Sequence, residues 1–280
     1  MATRLDLSYD AQVLAVRRRV LAYSARLWGS LPAFRDADAE RLIAKLVPRV
    51  EAGQKRIAEL TDAYLTRVAQ VELGVNVRRG AVTSVTTQDL RGIAPEEVYR
   101  RPLVTTYTSL STGNSLTDAV ASGAARLEDI VSTGLQLAKT HSAQGQMRRT
   151  SGIAGYARVL TGRENCALCV IASTQRYHRG DLMPIHPACD CGIKQFKGNP
   201  QVQVIKPELL EQTHQIIDAR LGGSDRSARD LGIGKTSSSG QPLSDFTDLI
   251  IAREHGEIGP VLTWRSDKFT SAADIEALAS

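Results

Sequence analysis

The sequence is short of three things, and each shortage narrows the class of protein. Aromatic residues make up only 5% of the 280 residues, while apolar residues in total make up 42%. A core must therefore form mainly from aliphatic side chains, which favours packed helices. No apolar run reaches the ~18 residues of a membrane span, so no membrane partner is expected. Residues 1–6 lack the apolar segment of a signal peptide, which predicts folding in a reducing cytosol.

Cysteine is missing from all but one short stretch. The four cysteines of the chain are Cys166, Cys169, Cys189 and Cys191. A Cys-x-x-Cys pair and a closing Cys-x-Cys, separated by a loop, have the spacing that lets thiolates converge on one tetrahedral metal ion. His186, and more distantly His178, add imidazole nitrogens to the same stretch. The pattern predicts a metal site.

This candidate site has more potential ligands than a tetrahedral ion needs. The five candidates are Cys166, Cys169, His186, Cys189 and Cys191. The four thiolates complete the shell, or His186 replaces one of the last two cysteines. Zinc is the expected ion because it is redox-silent and accepts mixed sulfur and nitrogen ligands. We expect one structural zinc ion per chain. Two disulfides and four free thiols are the alternatives, and a reducing compartment disfavours disulfides.

The cysteine stretch also carries a resemblance. It begins Tyr-Ala-Arg-Val-Leu-Thr-Gly-Arg-Glu-Asn-Cys-Ala-Leu-Cys at Tyr156 and closes with Pro-Ile-His-Pro-Ala-Cys-Asp-Cys at Cys191, after an Arg149-Thr150 pair. This pattern resembles the phage Mu protein F-like family, the minor capsid or head-morphogenesis proteins of tailed bacteriophages. The likeness covers residues 140–196, and residues 255–263 resemble the tail of such proteins in phages of actinobacteria.

Two departures from the family pattern leave every candidate ligand in place. The residue between the last two cysteines is often Arg in the family and is Asp190 here. An aromatic and an acidic residue usually precede the first cysteine, whereas Tyr156 and Glu164 stand in looser spacing. The resemblance implies a non-enzymatic minor capsid protein that acts in head morphogenesis near the portal. It implies the virion as the location, with the host cytoplasm during assembly. The implied partners are the portal or major capsid protein, with packaged DNA as a further contact and no small-molecule substrate.

The expected fold is mainly α, with long helices, a small irregular zinc-knuckle-like α+β module and a partly flexible C-terminal tail. We divide it into a helical domain at 1–142, a metal-binding module at 143–200, and a C-terminal helix, linker and tail at 201–280. Short strands are expected within 163–196. In the last part we expect an extended run at 202–205, a helix at 207–221, a linker at 222–242 and helices near 243–254 and from 271.

Local signals place the helices of the first part. Apolar periodicity predicts helices over 8–29, capped by Ser8 or Asp10, and over 36–73, where Pro48 should kink or divide the second. Pro95 followed by two acids starts a third helix. Two or three helices are expected over 101–141, with a break near Gly113, and another over 143–160. Small residues around Gly123 permit close helix contacts.

Two other classes of function compete with a head protein. A zinc-dependent nucleic-acid-binding module would use Arg148, Arg149, Arg158 and Arg163. The net charge of +5 fits such a module and equally fits a solvated arginine-rich surface. The charges of the N-terminal helices alternate in sign along the sequence, however, which favours protein contacts over tight binding of free DNA. An enzyme such as a capsid-processing protease or a nuclease is the third class. Gly232-Ile-Gly-Lys-Thr lacks the first glycine of a P-loop, and His255-Gly-Glu lies downstream of the cysteines, not before them.

Overall fold

The computed structural model describes residues 3–77, 79–80, 82, 84–160, 169, 172–173, 176–180, 182–183, 185–186, 190–197, 215 and 250–264. The chain divides into two compact units. The helical unit comprises residues 1–152 and 187–190, and the second unit comprises residues 153–186 and 191–280. The described part is mainly helical, as the sequence predicts, and the expected boundary at 142 falls inside a helix. No described helix is both long and apolar enough to cross a membrane.

The first helix, α1, spans Arg4–Gly29 and begins earlier than its periodicity suggests. Its N-cap is Thr3, not Ser8 or Asp10: the Thr3 hydroxyl accepts from the Asp6 backbone N–H, and the Asp6 carboxylate accepts from the Thr3 N–H at 2.8 Å. This reciprocal capping satisfies two donors that a helix start leaves unpaired. The N-cap prediction was wrong because the capping box formed by Thr3 and Asp6 sets the start of the helix ahead of the apolar pattern.

Helix α2 spans Asp36–Val71 and runs through Pro48 without a break. Its 36 residues correspond to about 54 Å at 1.5 Å per residue. Of the two outcomes expected at Pro48, a kink or a division, the division was wrong. Pro48 and Ala44, whose carbonyl loses its helical partner, are both exposed, so water can take the place of the missing N–H. Burial of the opposite side of α2 holds the helix together.

Three more helices complete the helical unit. They are α3 at Thr87–Arg91, which the sequence did not predict, α4 at Pro95–Ser111 and α5 at Leu116–Arg149. Proline at the start of α4 and the break before Ser115 agree with prediction. The separate helix over 143–160 was wrong, since α5 continues to Arg149 and the chain then becomes a strand. The side chain of Ser115 caps α5 by accepting from the Asp118 N–H.

Helix α5 is the central element of the helical unit. Every residue from Ile130 to Thr140 is buried, and α5 packs against α1, α2, α3 and α4. A helix buried on all sides belongs in the middle of a bundle. Two polar side chains on α5 form hydrogen bonds within this unit: the Ser142 hydroxyl donates to the Ala58 carbonyl at 2.7 Å, and Lys139 Nζ donates to the Asp190 carbonyl at 2.7 Å.

The second unit is built on antiparallel strands. Strands β1 (Gly155–Val159), β2 (Arg176–His178) and β3 (Gly192–Phe196) form a sheet with β1 in the centre. Strands β4 (Ile250–His255) and β5 (Gly259–Trp264) form a hairpin. The expected helix near 243–254 was therefore wrong over its last residues. Its earlier part, and the predictions for 202–205, 207–221, 222–242 and the segment from 271, lie outside the described residues apart from Gln215.

Candidate metal centre

The structure brings one thiol and one imidazole of the predicted ligand set together. Cys169 Sγ lies 3.0 Å from His186 Nε2, although 17 residues separate them. Cys191 is also described and is buried, and neither Cys169 nor Cys191 forms a disulfide. Cys166 and Cys189 lie outside the described residues, as does the side chain of His178. Within the described part of the chain, no three potential ligand side chains form a cluster.

The hairpin of β4 and β5 positions the backbone next to His186. Ile185 bridges Val261 in parallel register. The Ile185 N–H donates to the Pro260 carbonyl at 3.2 Å, and the Leu262 N–H donates to the Ile185 carbonyl at 2.7 Å. These bonds fix the chain immediately before the imidazole. The sequence analysis missed this support, because the resemblance of residues 255–263 said nothing of where they pack.

The sheet supplies the surroundings of the Cys169 thiol. Arg158 on β1 is only 3% exposed, and its Nη1 donates to Cys169 Sγ at 3.7 Å. Tyr177 on β2 stacks on Tyr156 with ring centroids 5.5 Å apart and donates to the Ala172 carbonyl at 3.2 Å. Burial raises the pKa of Tyr177, and the Arg158 guanidinium acts in the opposite direction. The thiol is therefore buried beside the guanidinium of Arg158.

Cys191 lies next to the opposite edge strand of the sheet from Tyr177, which is on β2. It directly precedes β3, whose Gly192 pairs with Val159 of β1, and it is 1% exposed. Negative charge on Cys191 or on Cys169 would act to raise the pKa of Tyr177 further.

The described atoms fit a zinc ion. Tetrahedral zinc with bonds of about 2.3 Å to sulfur and about 2.0 Å to nitrogen holds two such ligand atoms about 3.5 Å apart. The observed 3.0 Å between Cys169 Sγ and His186 Nε2 needs an adjustment of about half an ångström. Arg158 would sit beside a coordinating thiolate and offset the negative charge of a sulfur-rich shell. When bound, zinc would supply a cross-link between the two halves of the motif.

The Arg149-Thr150 pair of the motif serves the helical unit. Arg149 Nη2 lies 2.6 Å from Asp62 Oδ1, and the Asp62 side chain is 1% exposed. Burial raises the pKa of Asp62, while Arg149 and Arg79 lower it. Thr150 Oγ1 donates to the Gln146 carbonyl at 2.9 Å and lies 3.0 Å from Gln146 Nε2. The pair therefore anchors the end of α5.

Substitutions at His186 and Cys189 should show which of the candidate residues are zinc ligands. If His186 is a ligand, His186→Ala should weaken zinc affinity about as much as Cys189→Ser. If the four thiolates form the shell, Cys189→Ser should cost far more, and His186→Ala should cost about 10–100-fold, as loss of an outer-shell hydrogen bond does. Competition with a chromogenic chelator measures both affinities. His255→Ala is the matched control, since His255 Nδ1 accepts from the Glu257 N–H, and it should retain full affinity.

Comparisons with protein-family models, with curated proteins and with solved structures give no match to this chain. The residues of the chain and the geometry of its two units are therefore the basis for a functional assignment.

Proposed function

We propose that this chain is a structural, non-enzymatic minor capsid protein of a tailed phage, acting in head morphogenesis near the portal. The observation that carries the proposal is the pairing of Cys169 with His186. These two residues come from the two halves of the motif that resembles the Mu F-like family. Their approach is what a shared metal ion requires, and the proposal assigns them to one structural zinc.

The chemistry of the site supports a structural role for the ion. Four protein ligands leave no coordination position for water or substrate. The two described thiols are buried: Cys169 is 3% and Cys191 1% exposed, and Arg158 Nη1 donates to the Cys169 sulfur. His186 is partly exposed. A buried closed shell stabilises a fold and offers little to a substrate. The proposed partners are accordingly the portal or the major capsid protein.

The rival assignment, a nucleic-acid-binding zinc module, loses support from the placement of its arginines. Arg158 is buried beside Cys169, and Arg149 is engaged with Asp62. Arg163 lies outside the described residues, and Arg148 is exposed. Phosphate contacts need exposed cations that release counterions on binding. Two of the four arginines proposed for this role are committed to contacts within their own unit.

Head assembly provides the direct test. In cells infected with the phage that encodes the chain, a tagged full-length protein should co-sediment with empty and DNA-filled heads and should resist nuclease and salt washing. Cys169→Ser should be lost from heads, because the proposed zinc cross-link is removed. The Gly29→Ala protein should be incorporated normally, because Gly29 is exposed and an added Cβ there meets no atom within 4 Å. Recovery of the wild-type protein only from the soluble fraction would contradict the proposal.

A further inference from the structure

Folding separates charges that alternate along the sequence. Helices α1 and α2 pack side by side, and Tyr23 OH donates to the Lys45 carbonyl at 3.4 Å while the Arg49 guanidinium lies 5.5 Å from the centre of the Tyr23 ring. Arg19 and Arg26 are four residues before and three after Tyr23, so they share its side of α1. All four cationic side chains are exposed. We call Arg19, Arg26, Lys45 and Arg49 the basic ridge.

Most acids of the same two helices are engaged elsewhere in the helical unit. Asp6 and Asp38 are buried. Asp36 pairs with Arg100 on α4, and Glu51 accepts from the Thr87 N–H.

Asp10, Glu40, Glu59 and Asp62 are the remaining acids of these two helices. Asp10 is nine residues from Arg19, which places it about 180° away around α1, and Asp62 is buried. Glu40 is five residues from Lys45, which places it about 140° away around α2. Glu59 pairs with Arg56 at 3.6 Å. Among the described residues, Arg19, Arg26 and Lys45 form no ion pair. The ridge is therefore a face of one sign, which the linear order of charges conceals.

The composition of this face favours a phosphate backbone over a protein surface. Protein interfaces are usually organised around buried apolar or aromatic anchors. The exposed large apolar side chains of the described part are Leu7, Val71, Val104, Tyr107 and Leu116. None belongs to the ridge. Three of its four cations are arginines, whose planar guanidinium binds phosphate through two parallel hydrogen bonds.

We propose that the basic ridge binds the phosphate backbone of duplex DNA without reading its sequence. The dimensions agree: the ridge extends about 10 Å along α1 from Arg19 to Arg26, and packed helix axes lie about 8–10 Å apart. Duplex DNA offers one negative charge per about 1.7 Å of its axis, so several phosphates face the ridge at once. The inference rests on the proposed function only in naming packaged DNA as the source of the duplex.

The dependence of binding on salt tests the ridge in solution, separately from head incorporation. With four phosphate contacts, the slope of log affinity against log salt should be about −3.6, and affinity should fall about 150-fold between about 50 and 200 mM salt. Fluorescence anisotropy of a labelled mixed-sequence duplex with the full chain measures both. Arg19→Gln, Arg26→Gln and Lys45→Gln together should reduce the slope to about −0.9. Arg49 is left in place because it stacks on Tyr23.

A matched variant removes the same number of charges elsewhere. Lys55, Arg67 and Arg126 are exposed, and changing all three to Gln should leave the slope near its wild-type value. An equal loss in both triple variants would show a response to net charge and overturn the proposal. Binding that does not depend on salt would also overturn it. So would tighter binding of the protein to polyglutamate, an acidic polypeptide, than to duplex DNA. If the triple ridge variant loses the circular dichroism signal of its helices, the single Arg26→Gln variant replaces it in the test. Its slope should then change by about 0.9 relative to wild type.

Discussion

Purified protein is expected to contain one zinc ion per chain, and Cys169→Ser is expected to lose it together with the fold of the second unit. Structural zinc contributes on the order of 10 kcal/mol to the folding of a small module. The sheet of β1, β2 and β3 is small: its outer strands contribute three and five residues. Such a sheet buries too little apolar surface to replace a cross-link of that strength.

The helical unit should survive the same substitution. Its core lies along α5, and its buried apolar residues come from α1 to α5. Far-UV circular dichroism of Cys169→Ser should therefore stay close to wild type, while limited proteolysis should cut within the segment that contains β1 to β3. Elemental analysis gives the zinc content, and cobalt substitution should produce thiolate-to-metal absorption bands that the variant lacks.

Three results would each contradict part of this prediction. Zinc near zero in protein kept reduced and away from chelators would exclude the site. A loss of helix content in proportion to the loss of sheet would show that the two units fold as one, so that zinc is not confined to a separate module. Retention of zinc by Cys169→Ser would remove this thiol from the ligand set.

Some helix boundaries of the first unit could be predicted, because one or two residues near the boundary determine them. Pro95 and the acids after it mark the start of α4 because their effects, a fixed φ and a favourable charge at the helix dipole, depend on nothing distant. The break between α4 and α5 follows from Gly113, which has φ of 90°, a conformation that other residues disfavour.

Tertiary burial decided the features that local signals misjudged. Pro48 breaks a helix in isolation, but α2 continues because its opposite side is buried along most of its length. The hairpin of β4 and β5 pairs with the backbone of Ile185, more than 70 residues away in sequence. A pattern read within a short window cannot contain such a contact, so a helix was predicted there.

The candidate site also has features that the sequence predicted and features that depend on tertiary structure. Spacing alone placed Cys169 and His186 among five candidate ligands and left open whether His186 or a fourth thiolate completes the shell. The role of Arg158 could not be predicted, because arginine in a motif usually indicates an exposed cation, and only the register of β1 turns this side chain inward. The burial pattern of β1 alternates at its end, with Ala157 and Val159 partly exposed and Arg158 buried. Register depends on pairing with β2 and β3, which a single sequence does not specify.

Gly123→Ala is expected to destabilise the helical unit by about 2–3 kcal/mol, as overpacking of a tight core does. A Cβ at this position would collide with the Thr106 hydroxyl and would lie 2.5 Å from Trp28 Cζ2 and 2.8 Å from the Pro102 carbonyl oxygen. Trp28 cannot retreat freely, since its Nε1 donates to the Val120 carbonyl at 3.2 Å. Helices α1, α4 and α5 cross here, so the collision must be relieved by moving a helix.

Gly29→Ala is the matched control. Thr106→Ala distinguishes the collision with the Thr106 hydroxyl from the collisions with Trp28 and the Pro102 carbonyl oxygen. Gly29 is also helical, but a Cβ there meets no atom within 4 Å, so alanine should be neutral or stabilise by up to about 1 kcal/mol through helix propensity. Adding Thr106→Ala to Gly123→Ala should recover only part of the loss, because the Pro102 oxygen belongs to the backbone. Urea unfolding followed by circular dichroism gives the three free energies. Equal stability of the Gly123→Ala and Gly29→Ala proteins would mean that α1, α4 and α5 do not meet as closely as the structure places them.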